Sequence, residues 1–257
     1  MKKIVGIFIL ILTVTAVGMA QPREYTFKQY AAKNGQILPY AILYPENFNP
    51  KEKYPLMLFL HGSGERGTDG TSQLKHGGEF LASAEQLKDV ILVVPQCPKE
   101  DAWACYSRPG KPELKATFEF PYTAPVSSSL TAVKELLDCF ISLGFADPDR
   151  VYAFGLSLGA IGILDFAMRY PDYFAAIQPI CGAVSSKRCA EFKGRTQFRF
   201  FHGLEDTSVL PRHSIEADEA LQSAGIHSEI VLYPGIPHNS WDNAFAEPDF
   251  LNWMLEK

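Results

Sequence analysis

The side chain with the greatest chemical potential is Ser157, set in Gly155-Leu156-Ser157-Leu158-Gly159 behind the apolar run Arg150-Val151-Tyr152-Ala153-Phe154. A strand that turns abruptly into a helix crowds the positions two before and two after the turn. Only small residues fit there, and the turn lifts the serine hydroxyl out of the chain. A serine becomes a nucleophile when a base takes its proton, an acid orients the base and N–H donors hold the oxyanion. The chain offers a candidate for each just past a predicted strand. Asp206 follows residues 198–202 in Gly203-Leu204-Glu205-Asp206 and is the candidate acid, with Glu205 as the alternative. His238 follows residues 229–233 and is the candidate base, with His202 as the competing imidazole. The backbone N–H of Leu158 is one oxyanion donor; the other comes from His61-Gly62-Ser63-Gly64, at Ser63 or alternatively at Gly64. Such a set runs acyl transfer through a covalent acyl-enzyme and needs no metal or cofactor. No C-x-x-C or Cys/His spacing suggests zinc.

The elements that must position these residues are short apolar runs at 55–60, 90–94, 151–154 and 175–180, each of the kind buried on both faces of a sheet. Residues 198–202 and 229–233 supply two more strands. Residues 25–30 and 37–44, joined by the turn signal Lys33-Asn34-Gly35, form an antiparallel edge. Helical spacing appears at Leu130, Val133, Leu137 and Ile141, over residues 160–170, over 212–224 ending at Gly225, and over 248–256. Strands alternating with helices imply a mostly parallel sheet covered on both faces, with binding sites beyond the carboxyl ends of the strands.

Residues 97–127 have no clear period yet carry Trp103, Tyr106, Phe118, Phe120 and Tyr122. A loop this long in a compact domain is usually functional or disordered. Two readings stand: a wall of the substrate cleft offering aromatic faces, or a surface loop packing its own aromatics. Trp103 and Trp241 are the candidate substrate contacts. Glu65 and Arg66 are expected to brace the oxyanion loop by an ion pair, and His76, His213 and His227 to be exposed spectators.

The first twenty residues read as a secretory signal: Lys2 and Lys3, an apolar stretch from Ile4 to Val17, then Gly18-Met19-Ala20. The mature chain is expected to begin near Gln21 and to be exported, to a periplasm or beyond, with no later membrane span. Residues 21–257 then form one catalytic domain, large enough for a substantial core. Losing the two lysines moves the net charge from −5 to −7, and no basic block tracks a phosphate backbone, so nucleic acid is not an expected partner. All five cysteines lie in the exported part, and the short-loop pairs Cys97–Cys105 and Cys181–Cys189, with Cys139 left over, are the simplest disulfide pattern. Free thiols throughout are the alternative.

Taken together, the strand running into His61-Gly62-Ser63-Gly64-Glu65-Arg66-Gly67, the Val94-Pro95-Gln96-Cys97-Pro98 segment, the Ser157 pentapeptide, the Asp206 loop and His238-Asn239-Ser240-Trp241 resemble the α/β-hydrolase superfamily. They look most like exported bacterial carboxylesterases of the dienelactone-hydrolase-like, feruloyl-esterase-like and prolyl-oligopeptidase-like group. The order Ser157, Asp206, His238 is the triad order of that fold. The resemblance implies triad roles for these three residues and an oxyanion role for the Ser63 loop. It implies a small-molecule or carbohydrate-linked ester as substrate, acetyl or feruloyl by preference. A serine peptidase for short peptides and an inactive binding protein of the same fold are the rivals. The absence of a large amino-terminal gating domain argues against a peptidase proper, and serine in place of cysteine argues against dienelactone as substrate.

Overall fold

A computed structural model describes residues 22–108, 118–121 and 123–257. The expected signal segment, the start at Gln21 and the loop residue Tyr122 lie outside the described residues. The strands are β1 (Thr26–Ala31), β2 (Ile37–Leu43), β3 (Tyr54–Leu60), β4 (Ile91–Pro95), β5 (Ala146–Leu156), β6 (Ala176–Ile180), β7 (Gln197–Gly203) and β8 (Ser228–Tyr233). They form an eight-stranded sheet in the order β1-β2-β4-β3-β5-β6-β7-β8. β1 pairs antiparallel with β2, and β2 with β4; every other pairing is parallel. This is the α/β-hydrolase fold. The antiparallel edge expected from the Asn34-Gly35 turn is present, with Gly35 at φ 85.

Alternation along the buried strands divides the core in two. Leu56, Leu58 and Leu60 of β3, with Val151 and Ala153 of β5, point into one layer; Met57, Phe59, Tyr152 and Phe154 point into the other. The helices are α1 (Gly78–Ser83), α2 (Ser128–Ser142), α3 (Leu158–Arg169), α4 (Ser186–Ala190), α5 (Arg212–Ser223), α6 (Trp241–Phe245) and α7 (Phe250–Leu255). The first layer is closed by α2, α3, α4 and α5, the second by α1, α6 and α7. Phe59 stacks on Phe154 at 4.7 Å across β3 and β5 in the second layer. Each such fully buried side chain contributes about 1.5–3 kcal/mol by leaving water. Three short helices of five or six residues, α1, α4 and α6, do not show in the sequence periodicity.

The expected disulfides are absent: all five cysteines are free thiols. Cys181 packs in one layer and Cys189 in the other, so the sheet itself separates them. Cys97 is buried with its thiol 3.5 Å from the Ser129 hydroxyl. Cys139, on the side of α2 away from the core stripe, lies 3.6 Å from the Tyr30 hydroxyl of the edge strand β1.

Candidate active site

The parallel strands send their carboxyl ends to one edge of the sheet, and four of the following loops converge there. β5 delivers Ser157, β3 the His61–Ser63 segment, β7 Asp206 and β8 His238. Ser157 has φ 52 and ψ −115 at the start of α3, a conformation that costs a non-glycine residue energy. Its N–H donates to the Ile180 carbonyl at 2.9 Å, which ties the turn to β6. The flanking glycines are required by contact: a Cβ on Gly155 would lie 2.7 Å from the Gly159 backbone, and one on Gly159 would collide with the Leu60 carbonyl. The second collision shows how closely α3 approaches the end of β3, and so why the Ser63 loop sits beside the serine.

Ser157 Oγ lies 2.9 Å from His238 Nε2, and His238 Nδ1 lies 2.6 Å from Asp206 Oδ2. The carboxylate is buried, and its other oxygen accepts the N–H groups of Ser208 at 2.8 Å and Val209 at 3.0 Å. Burial pushes the Asp206 carboxyl up, but hydrogen bonds from His202 and His238 and from the Val209 N–H outweigh it and hold the group well below the usual carboxylate range. Asp206 is therefore an anion at neutral pH, and it fixes the proton of His238 on Nδ1, leaving Nε2 to accept from the serine. Glu205, the alternative acid, is exposed.

His202, the competing imidazole, does not reach Ser157. It is fully buried beneath the acid loop, with Nε2 2.9 Å from the Val209 carbonyl and 3.2 Å from Asp206 Oδ2, and Nδ1 2.7 Å from the Ser214 hydroxyl of α5. Both partners of Nε2 are acceptors, so that nitrogen carries the hydrogen. His202 ends β7 just before Gly203, and the loop it holds is the one that carries Asp206.

On the other side of the cleft, Ser63 lines a cavity of about 400 Å³ together with Ser157, His238, Arg108, Thr207, Ser208 and Val209. Leu158 opens α3, where the N–H groups of a first helical turn have no acceptor within the helix. Gly62 is pressed against the turn: a Cβ there would lie 2.8 Å from Leu156 Cδ1. His61 Nε2 accepts the Cys97 N–H at 3.0 Å, and Nδ1 lies 2.6 Å from the Gly62 carbonyl, which it can only serve as donor. Burial lowers the His61 pKa to about 4, so the ring is neutral.

Several expectations are corrected here. Trp103 does not line the Ser157 cleft: it is fully buried, its indole N–H donates to the His61 carbonyl at 3.1 Å, and it fills the space that a side chain on Gly162 would occupy. Glu65 and Arg66 do not pair with each other. Arg66 donates to the carbonyls of Ser63, Lys99 and Asp101, whereas buried Glu65 faces His76 at 3.5 Å. His76 is only partly exposed and packs on Trp241, whose indole stands edge-on to His238 at 5.8 Å. His213 is buried against Phe118 rather than exposed. The 97–127 loop packs its own aromatics, Tyr106 on Phe118 and Phe118 on Phe120, and presents Arg108 to the cleft. A larger cavity of about 510 Å³ lies past Phe118, between that loop and α4 and α5, and does not contain Ser157.

Among the described residues, Cys181, Asp206 and His238 bring three potential metal ligands together. Two of them, Asp206 and His238, are already hydrogen-bonded to each other, and burial pushes the Cys181 thiol up, keeping it protonated and a poor ligand. The donor set suits proton transfer better than a cation.

Comparison with known proteins agrees with this geometry. The Esterase family model, described as "Putative esterase", matches residues 33–238. A rice protein (Oryza sativa subsp. japonica) named "Probable carboxylesterase" is 27% identical over 219 residues, covering 79% of this chain and 88% of its own. A solved "Thermostable Esterase" superposes with a TM-score of 0.78 at 27% identity over 90% of this chain, which spans 62% of that longer protein. A "ferulic acid esterase" structure, at 16% identity and a TM-score of 0.66, covers 92% of this chain and 99% of its own, and shares the fold.

Proposed function

The chain belongs to the Esterase family and is a carboxylic ester hydrolase, and on that premise we propose that it works through an acyl-enzyme on Ser157. The observation that carries this reading is the continuous hydrogen-bonded series from Ser157 through His238 to Asp206, at 2.9 and 2.6 Å. His238 Nε2 takes the hydroxyl proton as Ser157 Oγ attacks the ester carbonyl. The imidazolium that forms is held by Asp206, and it returns the proton to the departing alkoxide. Water, activated by the same imidazole, then releases the acid. The N–H groups of Leu158 and of Ser63 are the proposed donors to the oxyanion, each worth about 3 kcal/mol of transition-state stabilisation. Trp241 borders the catalytic imidazole and is the proposed aromatic contact.

Hydrolysis of p-nitrophenyl acetate and methyl ferulate by the protein and by Ser157→Ala tests this. The variant is expected to lose at least about 10⁴ in kcat/KM, the scale seen when a nucleophile is removed from such a triad. Retained activity would refute the assignment. Acetyl or feruloyl esters of carbohydrates remain the proposed substrates, and faster cleavage of a peptide amide than of these esters would replace them with the peptidase reading. The binding-protein rival predicts a broken triad, and the intact hydrogen-bonded series counts against it. We further propose export, supported by Lys2, Lys3 and the apolar stretch that follows. Recovered mature protein beginning near Gln21 is the expected result, and an intact amino terminus would overturn it.

A further inference from the structure

We infer that Arg108 is an anion-recognising residue at the mouth of the Ser157 cleft, and that the preferred substrates are esters carrying a carboxylate. The inference rests on the esterase reading and narrows its substrate class.

Three observations carry it. First, the wall of the cleft is built from the hydroxyls of Ser63, Thr207 and Ser208, the apolar Val209, the His238 imidazole and Arg108. Among the described residues lining it, Arg108 brings the permanent charge. The Asp206 carboxylate behind the cleft is buried and committed to two imidazoles. Second, the guanidinium is held in place. Its carbon lies 4.4 Å from the centroid of the Phe118 ring, and Phe118 is buried in a cluster with Val209 and Ile161. The two chains are locked in register one residue away, where Ser107 and Glu119 exchange both backbone hydrogen bonds at 2.9 Å. A guanidinium lying on an aromatic face keeps its N–H edge in the ring plane, ready for the two oxygens of a carboxylate. Its five donors mean that holding a substrate does not require giving up contacts within the loop. Third, the whole chain carries a net charge of −5, so an anionic ester approaching most of its surface is repelled. A fixed cation beside the nucleophile reverses that locally.

The carboxylate could sit on the acyl side or on the leaving side, and matched ester pairs distinguish them. Mono-p-nitrophenyl adipate against p-nitrophenyl hexanoate reports the acyl side; 4-acetoxybenzoate against methyl 4-acetoxybenzoate reports the leaving side. The readout is the ratio of kcat/KM, anionic over neutral, measured within one preparation so that any loss of folded protein cancels. We expect the unmodified protein to favour the anionic member of one pair. That ratio should fall on the order of tenfold in Arg108→Gln, the size of one solvent-facing charge-assisted contact. Arg108→Lys should recover part of it, since the charge returns without the planar fork, and added salt should compress it in the unmodified protein. Neutral esters hydrolysed with no anionic preference, or a preference that survives Arg108→Gln, would overturn the anion site and leave the esterase standing. No hydrolysis of any of the four esters would overturn both.

Discussion

Two histidines occupy equivalent places in this molecule and work with opposite hydrogen-bond polarity. His61-Gly62 follows β3 and His202-Gly203 ends β7, each buried at the carboxyl edge of a parallel strand under a loop that enters the cleft. His61 Nε2 accepts the Cys97 N–H and braces the oxyanion side. His202 Nε2 donates to the Val209 carbonyl and toward Asp206, and so braces the acid side. The difference follows from the partners: β4 runs on into a segment that presents a backbone N–H, whereas the β7 loop presents a carbonyl and a carboxylate. A His-Gly pair at a strand end thus marks a loop to be held, and the group that each ring nitrogen meets decides which tautomer holds it.

The glycines should break the symmetry most sharply. A Cβ on Gly203 would collide with the carbonyls of Ile236 and Pro237, which are backbone and carry His238. Gly203→Ala should therefore cost about 3 kcal/mol in denaturant unfolding and displace the base, lowering kcat/KM by more than about a hundredfold. An active, stable variant would mean that the His238 loop is looser than its contacts imply.

On the acid side, His202→Asn should lower kcat/KM on the order of a hundredfold, because the loop that carries Asp206 loses the imidazole that holds the Val209 carbonyl. The His238 contact and the Ser208 and Val209 N–H groups still hold the carboxylate ionised at neutral pH, so the loss is one of orientation. Unchanged activity would show that Asp206 is positioned without His202.

On the oxyanion side the effect should be one of stability. The His61 pKa is lowered from 6.5 to about 4 by burial, so between those values the unfolded chain binds a proton that the folded one refuses. Stability from this group is complete above about pH 6.5 and lost as pH falls toward 4. His61→Gln should cost about 2 kcal/mol at pH 7 and flatten the fall in Tm over that window. An unchanged slope would show that His61 is not held neutral. The smallest effect is expected from Gly62→Ala, about 1 kcal/mol, because its Cβ would meet the ends of two side chains, Leu156 Cδ1 at 2.8 Å and Glu65 Oε2 at 3.0 Å, which can move.

Sequence patterns alone located all eight strands, the three long helices α2, α3 and α5 and the closing helix α7, because a buried strand shows as a short apolar run and a surface helix as a 3.6-residue repeat. They also singled out Ser157, Asp206 and His238, since steric demand fixes the glycines at the turn and chemistry restricts what can follow each strand. The sequence preferred Asp206 to Glu205 and His238 to His202 but kept the alternatives, and tertiary structure separates them: Glu205 and Asp206 face opposite ways, one into water and one into the protein, and His202 is buried away from Ser157. The Cys181–Cys189 pair was misread because closeness along the chain says nothing about which side of the sheet a side chain enters. Trp103 was misread because a loop's aromatic can turn inward, as this one does to hold the His61 carbonyl. Composition and spacing therefore determined the candidate residues, while the sheet's handing of each residue to one layer or the other decided which side chains reach the cleft and which support those that do.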